Sequence, residues 1–152
     1  MIPEFDENGN LPPGVHFCDD WEEFKERFGY TPKRTQMILS MEEAIASLKA
    51  AGCRTFYING SFVTSETKPN DFDACWDPDA VDIDYLKKNS PTLLNFANKR
   101  AAQKAKYKGE LFRSDQPLDD QGKTSFDFFQ GDRRHNRKGI VAIDLLRWEP
   151  DD

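Results

Sequence analysis

The sequence predicts an α/β domain built on a short mixed β-sheet flanked by helices. Three observations carry that expectation. Ile38, Met41, Ala44, Ile45 and Leu48 recur at helical spacing. Residues 54–59, RTFYIN, are rich in aromatic and β-branched side chains, as strands are. Residues 139–148, GIVAIDLLRW, form the strongest strand signal in the chain. A length of 152 residues suits one domain with a real core, not two.

The elements follow in order. Residues 1–18, with Gly9, Pro12, Pro13 and Gly14, read as an extended N-terminal arm with at least one turn, ahead of a single domain over 19–152. Asp19 or Asp20 caps a short helix, because a side-chain oxygen there accepts an orphan backbone N–H. Trp21, Phe24 and Phe28 share its inner face, and Gly29 ends it. A longer helix starts with Thr31 as cap and Pro32 in the first helical position, and stops at Gly52. The strand at 54–59 leads into a polar loop, Gly60 to Asn70, containing a helical turn. Residues 71–76, DFDACW, are the next strand. Beyond Pro78 a short helix is expected near 81–88, and a second over 91–106, with Ser90 as cap and Pro91 behind it. Residues 110–113, ELFR, suit an edge strand. TSFDFFQ, residues 124–130, suits a short helix, with Thr124 and Asp127 as a capping box.

Composition narrows the function. The charged fraction is 32% and the hydrophobic fraction 38%, with twelve phenylalanines to supply core bulk. No apolar run approaches membrane-spanning length, and the start lacks a secretory signal, so a cytoplasmic protein with no membrane partner is expected. Cys18, Cys53 and Cys75 form no CxxC pair and read as reduced thiols. A net charge of −6 disfavours sequence-independent nucleic-acid binding but leaves room for a local basic groove.

The chemistry sits in two short pieces. INGS, residues 58–61, follows a strand, and DFDA, residues 71–74, opens the next. Strand alternation places Asp71 and Asp73 on one face. Two ionised carboxylates that close repel each other, and a hard divalent cation, Mg²⁺ or Mn²⁺, relieves the repulsion. Gly60 lets backbone approach a ligand closely, and Ser61 offers a hydroxyl and an N–H to phosphate. Thr64, Ser65 and Lys68 lie in the same loop and are candidate phosphate contacts; for Lys68 the alternative is a solvated surface residue.

A strand ending in Gly-Ser, a loop of this length and Asp-hydrophobic-Asp on the next strand resemble the signature of the DNA polymerase beta-like nucleotidyltransferases. The resemblance implies a minimal nucleotidyltransferase fold and a third carboxylate on a later neighbouring strand. Asp144, inside VAIDLL, matches that pattern, with a surface or edge-strand acid as the alternative. IPEFDENGNLPPG, WEEFKERFG, INGSFVTSETKPNDFD and KGIVAIDL extend the likeness over nearly the whole chain, to small bacterial and phage proteins classed as nucleotidyltransferase-like.

The resemblance implies transfer of a nucleotide from a nucleoside triphosphate to a protein, RNA or small-molecule acceptor. Asp71, Asp73 and Asp144 would bind metal, and Gly60 and Ser61 would position the triphosphate. The alternative keeps the fold without turnover, as a binding protein such as a toxin–antitoxin or phage-defence component. Two basic segments are open between phosphate contact and solvated surface: the helix bearing Lys99, Arg100, Lys104, Lys106 and Lys108, and the loop RRHNRK from Arg133 to Lys138. The tryptophans read as core or base-stacking neighbours, Trp76 foremost because it follows the acid pair.

Overall fold

The computed structural model describes residues 2–131 and 137–149. Strands β1 (Gly14–Cys18), β2 (Thr55–Asn59), β3 (Phe72–Trp76), β4 (Gly109–Arg113) and β5 (Gly139–Asp144) form one mixed sheet in the order β1-β5-β2-β3-β4. The helices are α1 (Trp21–Phe28), α2 (Pro32–Ala50), α3 (Ile83–Asn89), α4 (Ala97–Tyr107) and α5 (Ser125–Phe128). Short 3₁₀ turns cover Gly60–Val63 and Pro91–Leu94.

Local signals account for most of the boundaries. Asp20 accepts from the Glu22 N–H to open α1, and Thr31 accepts from the Arg34 N–H to open α2. Thr124 accepts from Asp127 N–H at α5, as the capping-box spacing predicts. Beyond α2, Gly52 takes φ +98, the left-handed backbone that ends helices at glycine.

Register sorts the sheet residues by face. Phe56, Ile58, Ala74, Trp76, Leu111, Val141 and Ile143 share the face that belongs to the main core, with Phe24, Phe28, Met41, Ile45 and Leu48 from α1 and α2. The opposite face carries Tyr57, Asn59, Asp73, Cys75, Glu110, Phe112 and Ala142. On that side α5 meets the sheet, with Phe126 edge-on to Tyr57 at 4.9 Å and Phe129 at 5.6 Å from Phe112. Its reach leaves Asp73, Asn59 and Glu110 at one end of the face.

Four expectations change. The residues before Asp19 are no detached arm. Leu11 is fully buried, and β1 joins the sheet parallel to β5, so the arm is part of the domain. The helix expected over 91–106 is broken into a 3₁₀ turn and α4. The backbone takes positive φ at Asn98, Lys99 and Arg100, a turn that helical periodicity does not encode. The last strand stops at Asp144, whose carboxylate accepts from the Leu146 N–H at 2.9 Å and begins a turn. Trp76 is fully buried, so it cannot stack on a ligand base. All three cysteines are free thiols, and all are buried. No helix among the described residues is long and apolar enough to cross a membrane. Arg133, Arg134 and His135 of the basic loop lie outside the described residues.

Candidate functional site

The Gly-Ser turn and the acid pair meet because β2 and β3 are antiparallel neighbours. Asn59, the last residue of β2, stands opposite Asp73. Gly60 then turns the chain with φ +73, and a Cβ there would collide with the Asp73 carboxyl. Only glycine both tolerates that backbone and leaves room for the acid. Gly60→Ala is therefore expected to destabilise the fold by at least about 1–2 kcal/mol from the backbone alone. It should also displace Asp73. Melting temperatures test this, and a variant that melts with wild type would contradict the packing described.

The third acid comes from the other side. β4 runs parallel to β3, with Glu110 in register with Asp73. The Asp73 carboxyl hydrogen-bonds to Glu110. Burial first, then the bond and the charge of Glu110, and then Asp71, push the Asp73 acid up to about 8. Lys138 opposes the shift. Burial also pushes Glu110 up, but hydrogen bonds from Arg100 and Asp73 and the nearby Lys104 charge outweigh it and leave Glu110 low. Arg100 Nε donates to Glu110 Oε1 at 2.7 Å, and Lys104 Nζ lies 3.7 Å from the same oxygen. The pair is thus a neutral Asp73 donating to an ionised Glu110.

Gln103 places Glu110 by closing the free edge of β4. Its buried amide accepts from the Leu111 N–H at 2.9 Å and donates to the Leu93 carbonyl at 3.1 Å. β4 thus satisfies its outer edge through α4 instead of another strand.

Asp144 does not join this group. Its partner across the β2–β5 ladder is Thr55, while Asp73 faces Asn59 at the other end of β2. Four residues along a strand separate the two levels by about 13 Å. Asp144 instead lines a separate cleft of about 190 Å³ with Cys18, Trp21, Arg147 and Trp148. The strand carrying it lies in the sheet next to β2 as expected, but its acid is at the wrong end.

Asp73 and Glu110 open into a cavity of about 850 Å³ that Gly60, Ser61 and Thr64 also line. Lys123, Phe128, Phe129, Gln130, Arg137 and Lys138 form another part of its wall. Ser65 and Lys68 do not line it. The Ser65 N–H is taken by the Gly9 carbonyl at 2.9 Å, and Lys68 is an exposed residue. Asp71 precedes β3 and influences Asp73 by charge. Glu110, Asn59 and Phe128 escaped the sequence reading, whereas Arg137 and Lys138 belong to the basic loop it left open. The aromatic run in TSFDFFQ was the available signal for Phe128; for Glu110 the only signal was an acid on a predicted edge strand.

The donors present suit a hard cation in part. Both side-chain polar atoms of Asn59, fully buried opposite Asp73, have no hydrogen-bond partner. An orphan amide oxygen on the strand paired with that of Asp73 is a donor of the kind Mg²⁺ and Mn²⁺ accept. Among the described residues, however, no three His, Cys, Asp or Glu side chains are already gathered as a metal site.

Fold and site together define a mixed α/β protein with a half-buried acid pair beside a Gly-Ser turn. The chain belongs to a family of unknown function, DUF6932, whose model matches residues 3–144. No curated protein and no solved structure matches it.

Proposed function

We infer that the 850 Å³ cavity is a metal-dependent nucleotidyl-transfer site, with Glu110 in the place expected for Asp144. One observation carries this reading: the Gly60 turn and Asp73 touch, and Glu110 stands beside Asp73 at the mouth of one cavity. Such a cavity lets phosphate oxygens and carboxylates share one space, which transfer of a nucleotidyl group requires.

Gly60, Ser61 and Thr64 would receive the triphosphate. Phe128, 44% exposed on the cavity wall, offers a face for the nucleobase that Trp76 cannot offer. Arg137 and Lys138 bring positive charge to the same wall. Asp73, Glu110 and the Asn59 oxygen would hold Mg²⁺ or Mn²⁺, with Asp71 nearby. Such an ion supplies charge neutralisation at the phosphate under attack. Asp73 must first give up its proton, and Lys138 favours that. Ser61→Ala should weaken transfer less than Asp73→Asn, because the backbone N–H of residue 61 survives the change.

A second reading has its own observation. Arg100 and Lys104 already neutralise Glu110, as they would in a site that binds nucleotide or a partner without turnover. A toxin–antitoxin or phage-defence component of that kind needs no acidic centre for catalysis. Incubation with each labelled nucleoside triphosphate and Mn²⁺, followed by mass analysis of protein and RNA, separates the two. Labelled product on either acceptor supports transfer. Nucleotide retained without product supports the second reading.

A further inference from the structure

Arg34, on the first turn of α2, is the most deeply buried cation of the described residues, with no solvent exposure. Its partners are all main-chain carbonyls. Nη1 donates to Phe62 O at 2.7 Å and Phe28 O at 3.1 Å. Nη2 donates to Thr64 O at 3.0 Å, to Ser61 O at 3.4 Å and to Glu66 O; Nε also donates to Glu66 O, at 3.0 Å. The guanidinium lies 4.5 Å from the Tyr30 ring centroid and 4.8 Å from that of Phe62. None of the described ion pairs includes it.

Four of its five carbonyl partners lie in residues 61–66, the loop that follows the Gly60 turn. The outer side of this loop is tied as well: Ser65 N–H donates to Gly9 O, and Thr64 bridges to Asn10. Tyr30 Oη adds bonds to Thr64 O and Glu66 O. Ser61, Thr64 and Glu66, whose carbonyls Arg34 collects, are also residues that line the cavity.

A planar trans peptide that turns its carbonyl one way turns the following N–H the other. Arg34 therefore draws the loop's electronegative oxygens to its own side. It also keeps a positive charge beneath the loop, within electrostatic reach of the Glu66 carboxylate. Both effects hold the backbone of Ser61, Thr64 and Glu66, which line the cavity, in one shape. A lysine cannot replace it, because one ammonium has three donors and no planar fork.

We propose that Arg34 is the positioning residue that shapes the Ser61–Glu66 loop to receive a polyphosphate, acting from behind the loop without touching the ligand. This rests on the reading of the cavity as a nucleotide site. It adds a residue 24 positions upstream of the INGS segment, whose place in the sequence offers no hint of the role.

The test uses the full chain and inorganic tripolyphosphate with Mg²⁺ as the probe. Amide hydrogen exchange over residues 61–66 is measured on the ligand-free protein in parallel. Arg34→Lys is expected to bind tripolyphosphate at least about tenfold more weakly and to lose protection in that loop, with the sheet amides still protected. Tyr30→Phe, which removes only the hydroxyl bonds to the same carbonyls, should fold even where Arg34→Lys does not, and shift both readouts the same way by less. Unchanged exchange in both variants would overturn the clamp. Increased loop exchange with wild-type tripolyphosphate affinity would overturn the positioning role. A wild-type protein that binds no tripolyphosphate would overturn the nucleotide reading of the cavity and this proposal with it, while its exchange data still report whether Arg34 orders the loop.

Discussion

If the cavity is the proposed transfer site, Asp73→Asn is expected to lower nucleotidyl transfer by at least about 100-fold, Glu110→Gln to do the same, and Asp144→Asn to leave the rate within about twofold of wild type. The contrast follows from the register. Asp73 and Glu110 are adjacent across the β3–β4 ladder and share a hydrogen bond, whereas Asp144 stands opposite Thr55. Amide replacement of either inner acid removes a charge that a transition state between phosphates and a cation needs close by. Asp144 loses at most its turn bond to the Leu146 N–H and a loose 3.8 Å contact with Arg147. Steady-state transfer rates for the three variants, beside their melting temperatures, provide the check. Loss of activity in Asp144→Asn at unchanged stability would restore the acid that the motif resemblance implies and displace Glu110.

The second large effect is on stability against pH in the absence of divalent metal. The fold raises the Asp73 acid from 3.8 to about 8, chiefly by burial and by the bond to Glu110. Below about pH 4 the folded and unfolded chains both hold this proton, and the site favours the fold fully. Between about pH 4 and 8 the unfolded chain has released it and the folded chain has not, so stability falls as pH rises. Glu110 works in the opposite sense: its acid is held low, so its contribution is present above the ordinary glutamate range and lost on acidification. Because the two share one proton, the net change at Asp73 is expected to be on the order of 2 kcal/mol, less than an isolated group so shifted would give. Asp73→Asn should remove it. Denaturant unfolding of both proteins at pH 5 and pH 8.5 gives the difference, in which the other titrating groups largely cancel. Equal pH slopes in the two proteins would mean that Asp73 is ionised in the fold. Mn²⁺ competes with the same proton, so its stabilisation of wild type should grow over this pH range and be much reduced in Asp73→Asn.

Much of the architecture was legible because its causes are local. Thr31 and Pro32 open α2 as their capping chemistry requires, and Phe24 and Phe28 lie on the buried face of α1 as their spacing predicts. The Gly60 turn and the β3 acid also announced themselves, since a glycine after a strand and an alternating acid pair are properties of a few consecutive residues. Gly60–Ser61 and Asp73 meet through a β2–β3 pairing between strands close in sequence.

The identity of the third acid was a different kind of question. Asp144 and Glu110 are both carboxylates on strands, and both fall on the same face of the sheet as Asp73. What separates them is the order β5-β2-β3-β4 and the register along it, which depend on how distant segments fill a common core. Alternation along one strand cannot report its neighbour or its level. The same holds for Trp76, whose position after the acids suggested a ligand face until the core closed over it. It holds for Arg34, which reads as an ordinary helix-start cation and becomes a hub only when the 61–66 loop folds over it. The sequence alone determined most of the helices and strands, though not β1 or the break before α4, and where the Gly-Ser turn and acid pair lie. Only the tertiary structure decided which acids share a cavity, because long-range pairing is set by the packing of the whole sheet.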